Sequence, residues 1–305
     1  MEGLSLNETI RFLQEAQIPF SEYEPMKAHT SFRTGGPARL FAEPQDETQL
    51  SSLLSHCFAT RQTPFILGNG SNLLVSDKGI DALVISTNAL DEIRQIDETT
   101  FYAAAGVKLI RLCKLALEQS CTGLEFAYGI PGSVGGAVFM NAGAYGGEMK
   151  DVVQKVHHLT IAGVPGSLDT PALDFGYRHS AYAENGCVVT GAVFRLQKGD
   201  PTAINEKMNE LLGRRKDKQP LEYPSAGSVF KRPTGYFAGA LIEQCGLKGK
   251  RIGGAAVSEK HAGFIVNVGD ATTQDVLDLI AYCQTTVQET FGVRMEPEIR
   301  MVGIR

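Results

Sequence analysis

Ile130-Pro131-Gly132-Ser133-Val134-Gly135-Gly136-Ala137-Val138-Phe139-Met140-Asn141-Ala142-Gly143-Ala144-Tyr145-Gly146-Gly147 is the stretch whose reading decides the fold. Six glycines in these eighteen residues, with small or apolar residues between them, do not suit an ordinary core helix. Glycine inside a helix is destabilising by roughly 0.5–1 kcal/mol relative to alanine. What it offers instead is close approach, since a backbone without Cβ can lie directly against a ligand. Pro131 and Ser133 suit a helix N-terminus, where free N–H groups and the helix dipole favour anionic groups. A tightly packed turn would explain the stretch as well if it stood alone. It does not: a second glycine loop, Gly68-Asn69-Gly70-Ser71-Asn72, lies earlier in the chain. Two such loops point to a phosphate-bearing cofactor.

The flanks of the second loop separate two familiar ways of holding a nucleotide. Pro64-Phe65-Ile66-Leu67 reads as a short buried strand, and Leu73-Leu74-Val75 is apolar again. The dinucleotide fingerprint needs G-x-G-x-x-G opening a helix, but its third position here is Leu73 and the continuation is strand-like. The triphosphatase loop needs a closing Gly-Lys-Ser/Thr, which is absent. A strand–glycine loop–strand arrangement calls for another kind of cofactor fold.

Composition sets the outer limits. With 305 residues, 43% apolar and 21% charged, the chain has the make-up of a globular protein with ample core. A net charge of −5 argues against a nucleic-acid groove, without excluding a local basic site for a small anion. Met1–Glu8 shows no cationic cluster ahead of an apolar run, so no signal peptide, no membrane partner and a cytoplasmic location are expected. Cys57, Cys113, Cys121, Cys187, Cys245 and Cys283 are scattered without a C-x-x-C pair and are expected as free thiols. His157 and His158 are adjacent and would face opposite sides of a strand, so no metal site is indicated.

Periodicity gives helices over residues 4–17, 46–60, 107–119, 201–212, 236–244 and 275–291, and strands over 82–86, 101–105, 152–161, 187–196, 263–268 and 298–302. The helix opening at Gly199-Asp200-Pro201 ends in Arg214-Arg215-Lys216-Asp217-Lys218, a cationic run suited to a helix C-terminus. A boundary is expected near residue 200. Strands and helices in two blocks, without an internal repeat, give an α+β class.

Several polar groups could carry chemistry. Tyr177-Arg178-His179-Ser180 follows Asp174-Phe175-Gly176, a loop that could present Arg178 to a carboxylate in a bidentate pair. Pro224-Ser225-Ala226-Gly227-Ser228 puts two serines in a small-residue turn beside Lys231 and Arg232. It is not a hydrolase elbow, because position 226 is alanine, so Ser228 reads as a proton relay or hydrogen-bond donor. Glu296, Glu298 and Arg300 at period two share one face of an extended segment. Arg33, beside Gly35 and Gly36, is a possible anion contact, and the cations Arg214, Lys218, Lys231, Arg232 and Lys260 suit an anionic substrate. Each of these also has a plain alternative: a solvated surface charge or a serine closing a turn.

Nine segments in order resemble the UDP-N-acetylenolpyruvoylglucosamine reductase family of flavoenzymes. They are Thr30-Ser31-Phe32-Arg33, Leu67–Asn72, Gly129–Gly136, Met140-Asn141-Ala142-Gly143, Tyr177-Arg178-His179-Ser180, Gln219-Pro220-Leu221, Ser225–Lys231, Lys260-His261-Ala262-Gly263-Phe264 and Glu298-Ile299-Arg300. Arg232-Pro233 and Gly263 look like the shorter, type II branch, which lacks an inserted substrate-covering loop and its tyrosine.

The resemblance implies non-covalent FAD on a vanillyl-alcohol-oxidase-like domain, residues 1–200, made of subdomains of roughly 1–88 and 89–200. A final strand, 295–305, would return to it, and residues 201–294 would bind substrate. It implies NADPH as co-substrate and UDP-N-acetylglucosamine enolpyruvate as substrate, in peptidoglycan precursor synthesis. Arg33, Gly68, Asn69, Gly70, Ser71, Asn72, Gly132, Ser133, Gly135, Gly136, Asn141 and Gly143 would hold the cofactor. Ser228 would donate the proton, while Arg178 and Glu298 stabilise the enolate, the glutamate donating or sharing a proton. Tyr177, Arg214, Lys218, Lys231 and Lys260 would contact substrate. A monomer is expected. Two alternatives stay open: a flavin oxidase using oxygen, which a covalent link through a histidine or cysteine would favour, and a nucleotide-sugar sensor, which would have no need of a proton donor.

Overall fold

The computed structural model describes residues 2–304, with side chains from residue 6 onward. Met1 and Arg305, which belong to the stretches read above for a leader and for a returning strand, lie outside it. The chain forms two compact units. One comprises Met1–Glu22, Leu40–Asn69 and Ala82–Gly213; the other comprises Tyr23–Arg39, Gly70–Asp81 and Arg214–Arg305. The expected boundary at residue 200 falls at the start of the helix Pro201–Lys218, and the units part inside that helix, between Gly213 and Arg214.

The first unit is built on a five-stranded antiparallel sheet in the order Pro165–Asp169, Val153–Leu159, Val188–Arg195, Thr100–Ala104, Ile93–Gln95. Val188–Arg195 sits centrally because it is nearly all apolar, with Val188 through Ala192 buried. The edges go to strands that tolerate water: Pro165–Asp169 begins with proline, which has no N–H to donate, and Ile93–Gln95 is short and polar. Helix Leu109–Glu118 buries Leu109, Leu112, Cys113 and Ala116, the face its period assigns. His157 and His158 do face opposite sides: His158 is buried and its Nδ1 lies 2.9 Å from the Tyr182 hydroxyl, whereas His157 is half-exposed.

The helix start that Pro131 and Ser133 suggested falls just after Ser133: Val134–Phe139 is a short helix, with Val134, Ala137 and Val138 buried. Its glycine is required by packing, since a Cβ on Gly135 would stand 2.9 Å from the Ala105 Cβ while the Gly135 N–H donates to the Ala105 carbonyl at 2.8 Å. A second sheet, ordered Phe20–Pro25, Pro37–Ala42, Ile80–Ser86, Phe65–Leu67, joins two strands that sequence left unassigned, Phe20–Pro25 and Pro37–Ala42, to two that it expected. Its last two strands run parallel.

The second unit packs around the helix Thr273–Phe291, which buries Val276, Leu279, Ile280, Cys283 and Val287. Thr272 and Asp275 close its first turn as a reciprocal capping box, and Gly292, at φ 69°, ends it. A three-stranded antiparallel sheet, Arg251–Ile252, Ala255–Val257 and Ile265–Asn267, lies beside it. Leu73–Val75, just after the second glycine loop, pairs in parallel with Arg300–Val302. The strand–loop–strand reading of residues 65–75 therefore holds, but the two strands join different sheets.

The six cysteines are free. Burial pushes the Cys57, Cys113 and Cys283 thiols up to about 12, which makes them inert core residues. Among the described residues no helix is long and apolar enough to cross a membrane.

Candidate active site

In the first unit the candidate residue Arg178 is held by its own backbone and by Asn141. Arg178 sits at φ 55°, a left-handed conformation that side-chain-bearing residues adopt at a cost. The turn carrying it is closed by Gly176 N–H to His179 C=O at 3.1 Å and by the reverse bond at 3.3 Å. Asn141, itself at φ 42° and buried, donates one amide hydrogen to the Gly176 carbonyl at 2.9 Å and the other to the Glu148 carboxylate at 3.0 Å. Its amide oxygen accepts from the Lys150 N–H at 2.9 Å. Ser180 anchors the far side, its hydroxyl donating to the Phe139 carbonyl at 2.8 Å. Both amide hydrogens of Asn141 thus make bonds within the protein. Arg178 lies half-buried with its guanidinium 5.2 Å from the centre of the exposed Tyr177 ring. The Glu148 carboxyl is held below its ordinary range by the Lys150 hydrogen bond first, then by the Asn141 amide and the positive charges of Lys150 and Arg178.

The glycine loops of the same unit meet at Ser133. A Cβ on Gly68 would stand 3.0 Å from the Ser133 Oγ, and one on Gly136 3.8 Å from it. Ser133 precedes the helix Val134–Phe139, yet its side chain does not cap it; the hydroxyl is buried and has no hydrogen-bond partner among the described residues. Asn69 fixes the loop by donating its side-chain amide to the Pro131 carbonyl at 2.9 Å. Lys108 donates to the Asn69 side-chain oxygen and, at 3.3 Å, to that of Asn88, whose amide donates to the Gly68 carbonyl at 3.3 Å. An unused buried hydroxyl, backbone free of Cβ and a lysine form a donor set that fits the phosphates of a dinucleotide cofactor. Gly143 has a different reason: a Cβ there would meet the Glu148 side chain and the Gly147 carbonyl at 2.7 Å.

In the second unit, Ser228 and Glu298 are brought onto neighbouring extended segments, joined by isolated bridges, although seventy positions apart. The Val229 N–H donates to the Gly263 carbonyl at 2.9 Å, and the Val229 carbonyl accepts from the Glu298 N–H at 2.7 Å. Two residues on, the Lys231 N–H donates to the Glu296 carbonyl at 2.8 Å. The segment 228–231 is thus stitched on both sides by backbone bonds, with Val229 and Phe230 buried and Ser228 half-buried. The Ser228 hydroxyl makes no hydrogen bond among the described residues. Asn72 reaches the Glu298 carbonyl at 3.4 Å, and Ser31 donates to the Ser225 carbonyl at 2.7 Å. Met295 and Ile299 are buried while Glu296, Glu298 and Arg300 lie on the other face, as period two requires.

The remaining candidates are distributed less tightly. Gly70 packs on the Thr30–Arg33 turn, where a Cβ would fall 1.9 Å from the His29 carbonyl oxygen; its φ of 63° also requires glycine. Arg33 (φ 57°) is exposed beside it, Ser71 is half-buried, and Gly132 accepts from the Leu109 N–H at 3.0 Å. Arg214 and Lys218 are exposed on the helix Pro201–Lys218. Lys231 lies 3.4 Å from the Glu296 carboxylate, and Lys260 donates to the Lys216 carbonyl at 2.6 Å. Sequence reasoning passed over Lys108, Asn88 and Glu148, because none sits in a motif. His261 went unused too: its Nδ1 accepts from the Gly263 N–H at 3.1 Å, and burial lowers its pKa.

Comparison with known proteins decides the family. Residues 38–164 match the FAD binding domain model, and residues 219–302 match that of the UDP-N-acetylenolpyruvoylglucosamine reductase C-terminal domain. The chain is 51% identical over 303 residues to the UDP-N-acetylenolpyruvoylglucosamine reductase of Caldanaerobacter subterraneus subsp. tengcongensis, covering 99% of both chains. It belongs to the UDP-N-acetylenolpyruvoylglucosamine reductase family. The reductase of Limosilactobacillus fermentum is 50% identical over 287 residues, covering 94% of this chain and 95% of its own. The crystal structure of the reductase from Thermus caldophilus superposes with a TM-score of 0.79 at 35% identity, covering 93% of this chain and 98% of that one. The chain is an FAD-dependent oxidoreductase of α+β class, as expected from its sequence.

Proposed function

We propose that this chain reduces UDP-N-acetylglucosamine enolpyruvate to UDP-N-acetylmuramate with NADPH, in peptidoglycan precursor synthesis. The observation that best supports this is the backbone bond from Glu298 N–H to the Val229 carbonyl, which puts Glu298 on the segment next to the half-buried Ser228 in one unit. A binding module has no need of a proton donor.

FAD, when bound, would supply the hydride chemistry that links NADPH to the enolpyruvyl methylene carbon. The electron pair of the carbon–carbon double bond then moves toward the substrate carboxylate as an enolate. Arg178 stabilises that charge by pairing with the carboxylate, and Glu298 supports the enolate oxygen through a shared proton. Ser228 Oγ gives its proton to the adjacent carbon and regains one from solvent. A positioned general acid contributes typically 10²–10⁴-fold. Arg33, Gly68, Asn69, Gly70, Ser71, Asn72, Gly132, Ser133, Gly135, Gly136, Asn141 and Gly143 hold the cofactor, while Tyr177, Arg214, Lys218, Lys231 and Lys260 answer the carboxylate and diphosphate of the substrate. Residues 1–200 with 295–305 serve the cofactor and 201–294 the substrate, in a cytoplasmic monomer.

The test is a visible spectrum of the purified protein without oxygen. Flavin bands should bleach with NADPH and return with the enolpyruvyl nucleotide sugar. Bands that bleach but return only with air would overturn the assignment in favour of an oxidase.

A further inference from the structure

We propose that Lys108 is a cofactor-anchoring cation, whose ammonium joins the Ser133 hydroxyl and the Gly68–Asn69 backbone in receiving the diphosphate of FAD. The proposal concerns cofactor binding and stands independently of the substrate assigned above.

Four separate parts of the sequence converge at this point of the first unit. Lys108 and Ser133 face each other across an antiparallel bridge, flanked by Leu109 N–H to Gly132 C=O at 3.0 Å and Val134 N–H to Val107 C=O at 2.9 Å. Asn69 is tied to Pro131 on one side and accepts from Lys108 on the other. Asn88 accepts from Lys108 at 3.3 Å and donates to the Gly68 carbonyl at 3.3 Å. Among these residues Lys108 carries the only charge.

Its partners are the second point. Both oxygens that accept from Lys108 belong to neutral amides, and no carboxylate pairs with it among the described residues. Partial desolvation by the surrounding protein lowers its pKa, so the charged form is held at some cost. Lys108 is nonetheless exposed, so its charge stays open to a bound anion, the partner left to a lysine that has no carboxylate. The third point is independent of the lysine: the Ser133 hydroxyl, 1% exposed, has no partner, and a Cβ on Gly68 would crowd it at 3.0 Å. Ammonium, hydroxyl and Cβ-free backbone together suit a group rich in acceptor oxygens and negative charge. Asn69 and Asn88 hold the lysine chain toward it.

Lys108→Met keeps the aliphatic stem and removes the charge. Full-length apoprotein titrated with FAD should bind roughly ten- to a hundredfold more weakly, the range expected for losing a charge-assisted hydrogen bond. Riboflavin, which has no phosphate, should bind the variant and the parent protein alike. Lys108→Arg should recover most of the loss, and FAD binding by Lys108→Met should depend less on salt. Equal weakening of FAD and riboflavin would overturn the proposal, because it would mean that Lys108 merely shapes the loop. Unchanged FAD affinity with a raised KM for NADPH would overturn it too, by assigning the charge to the co-substrate.

Discussion

The two units hold their reactive side chains by different means. Arg178 depends on buried side chains, since the turn that carries it is anchored through the Asn141 amide to Gly176 and Glu148 and through the Ser180 hydroxyl to Phe139. Ser228 and Glu298 depend on backbone, through the Gly263–Val229–Glu298 ladder. Side-chain anchoring concentrates the vulnerability in one or two residues that point mutation can remove. A backbone ladder spreads it, so that substitutions in the second unit should alter chemistry while leaving the framework in place.

The sharpest break of this contrast is Asn141→Ala. It strips a donor from the Gly176 carbonyl and an acceptor from the Lys150 N–H, and buried polar groups left unmatched cost about 1–3 kcal/mol. Thermal unfolding should register that loss, and turnover should fall with it because Arg178 loses its support. A stable but slow variant would show that the turn holds its shape without Asn141.

Acidification probes both units together. Burial depresses the pKa of His56 and His158 in the first unit and of His261 in the second. Below the ordinary histidine value of about 6.5 the unfolded chain takes up protons that the folded chain refuses, so stability is complete above that pH and declines as pH falls through the lowered folded values. His261 adds a structural consequence, since protonation at Nδ1 abolishes the bond from the Gly263 N–H, next to the ladder holding Ser228. The melting temperature should drop between pH 7 and pH 5.5, and less so in His261→Gln. A flat profile would mean that these rings carry no linkage.

Lys231→Ala should have the smallest effect on stability. Its pairing with Glu296 at 3.4 Å is exposed, and such pairs contribute about 0–1 kcal/mol. Melting should scarcely move while KM for the nucleotide sugar rises. A large loss of stability would contradict the view that backbone alone orders this segment.

Much of this was legible before any coordinates. The helices at 47–59, 109–118 and 273–291 follow from apolar periodicity. The opposed faces of His157 and His158, and of Glu298 and Ile299, follow from period two. What stayed hidden was decided by distant partners. Phe20–Pro25 carries alternate charges and no apolar stripe, and becomes a strand only by pairing with Pro37–Ala42. The helix at Val134–Phe139 was partly concealed because Gly135, poor in helix propensity, serves contact with Ala105. Lys108 gave no local sign at all. Its meaning comes from Asn69 and Asn88, brought to it by the fold.

The most direct test of the central claim is Ser228→Ala, followed through both half-reactions by anaerobic stopped-flow absorbance. The Ser228 hydroxyl stands apart from the backbone ladder and is assigned to proton delivery alone. Flavin bleaching by NADPH should keep its rate, and the return of the bands with enolpyruvyl nucleotide sugar should slow by about 10²–10⁴-fold. Equal slowing of both steps, or of neither, would contradict the assignment of Ser228 as the proton donor.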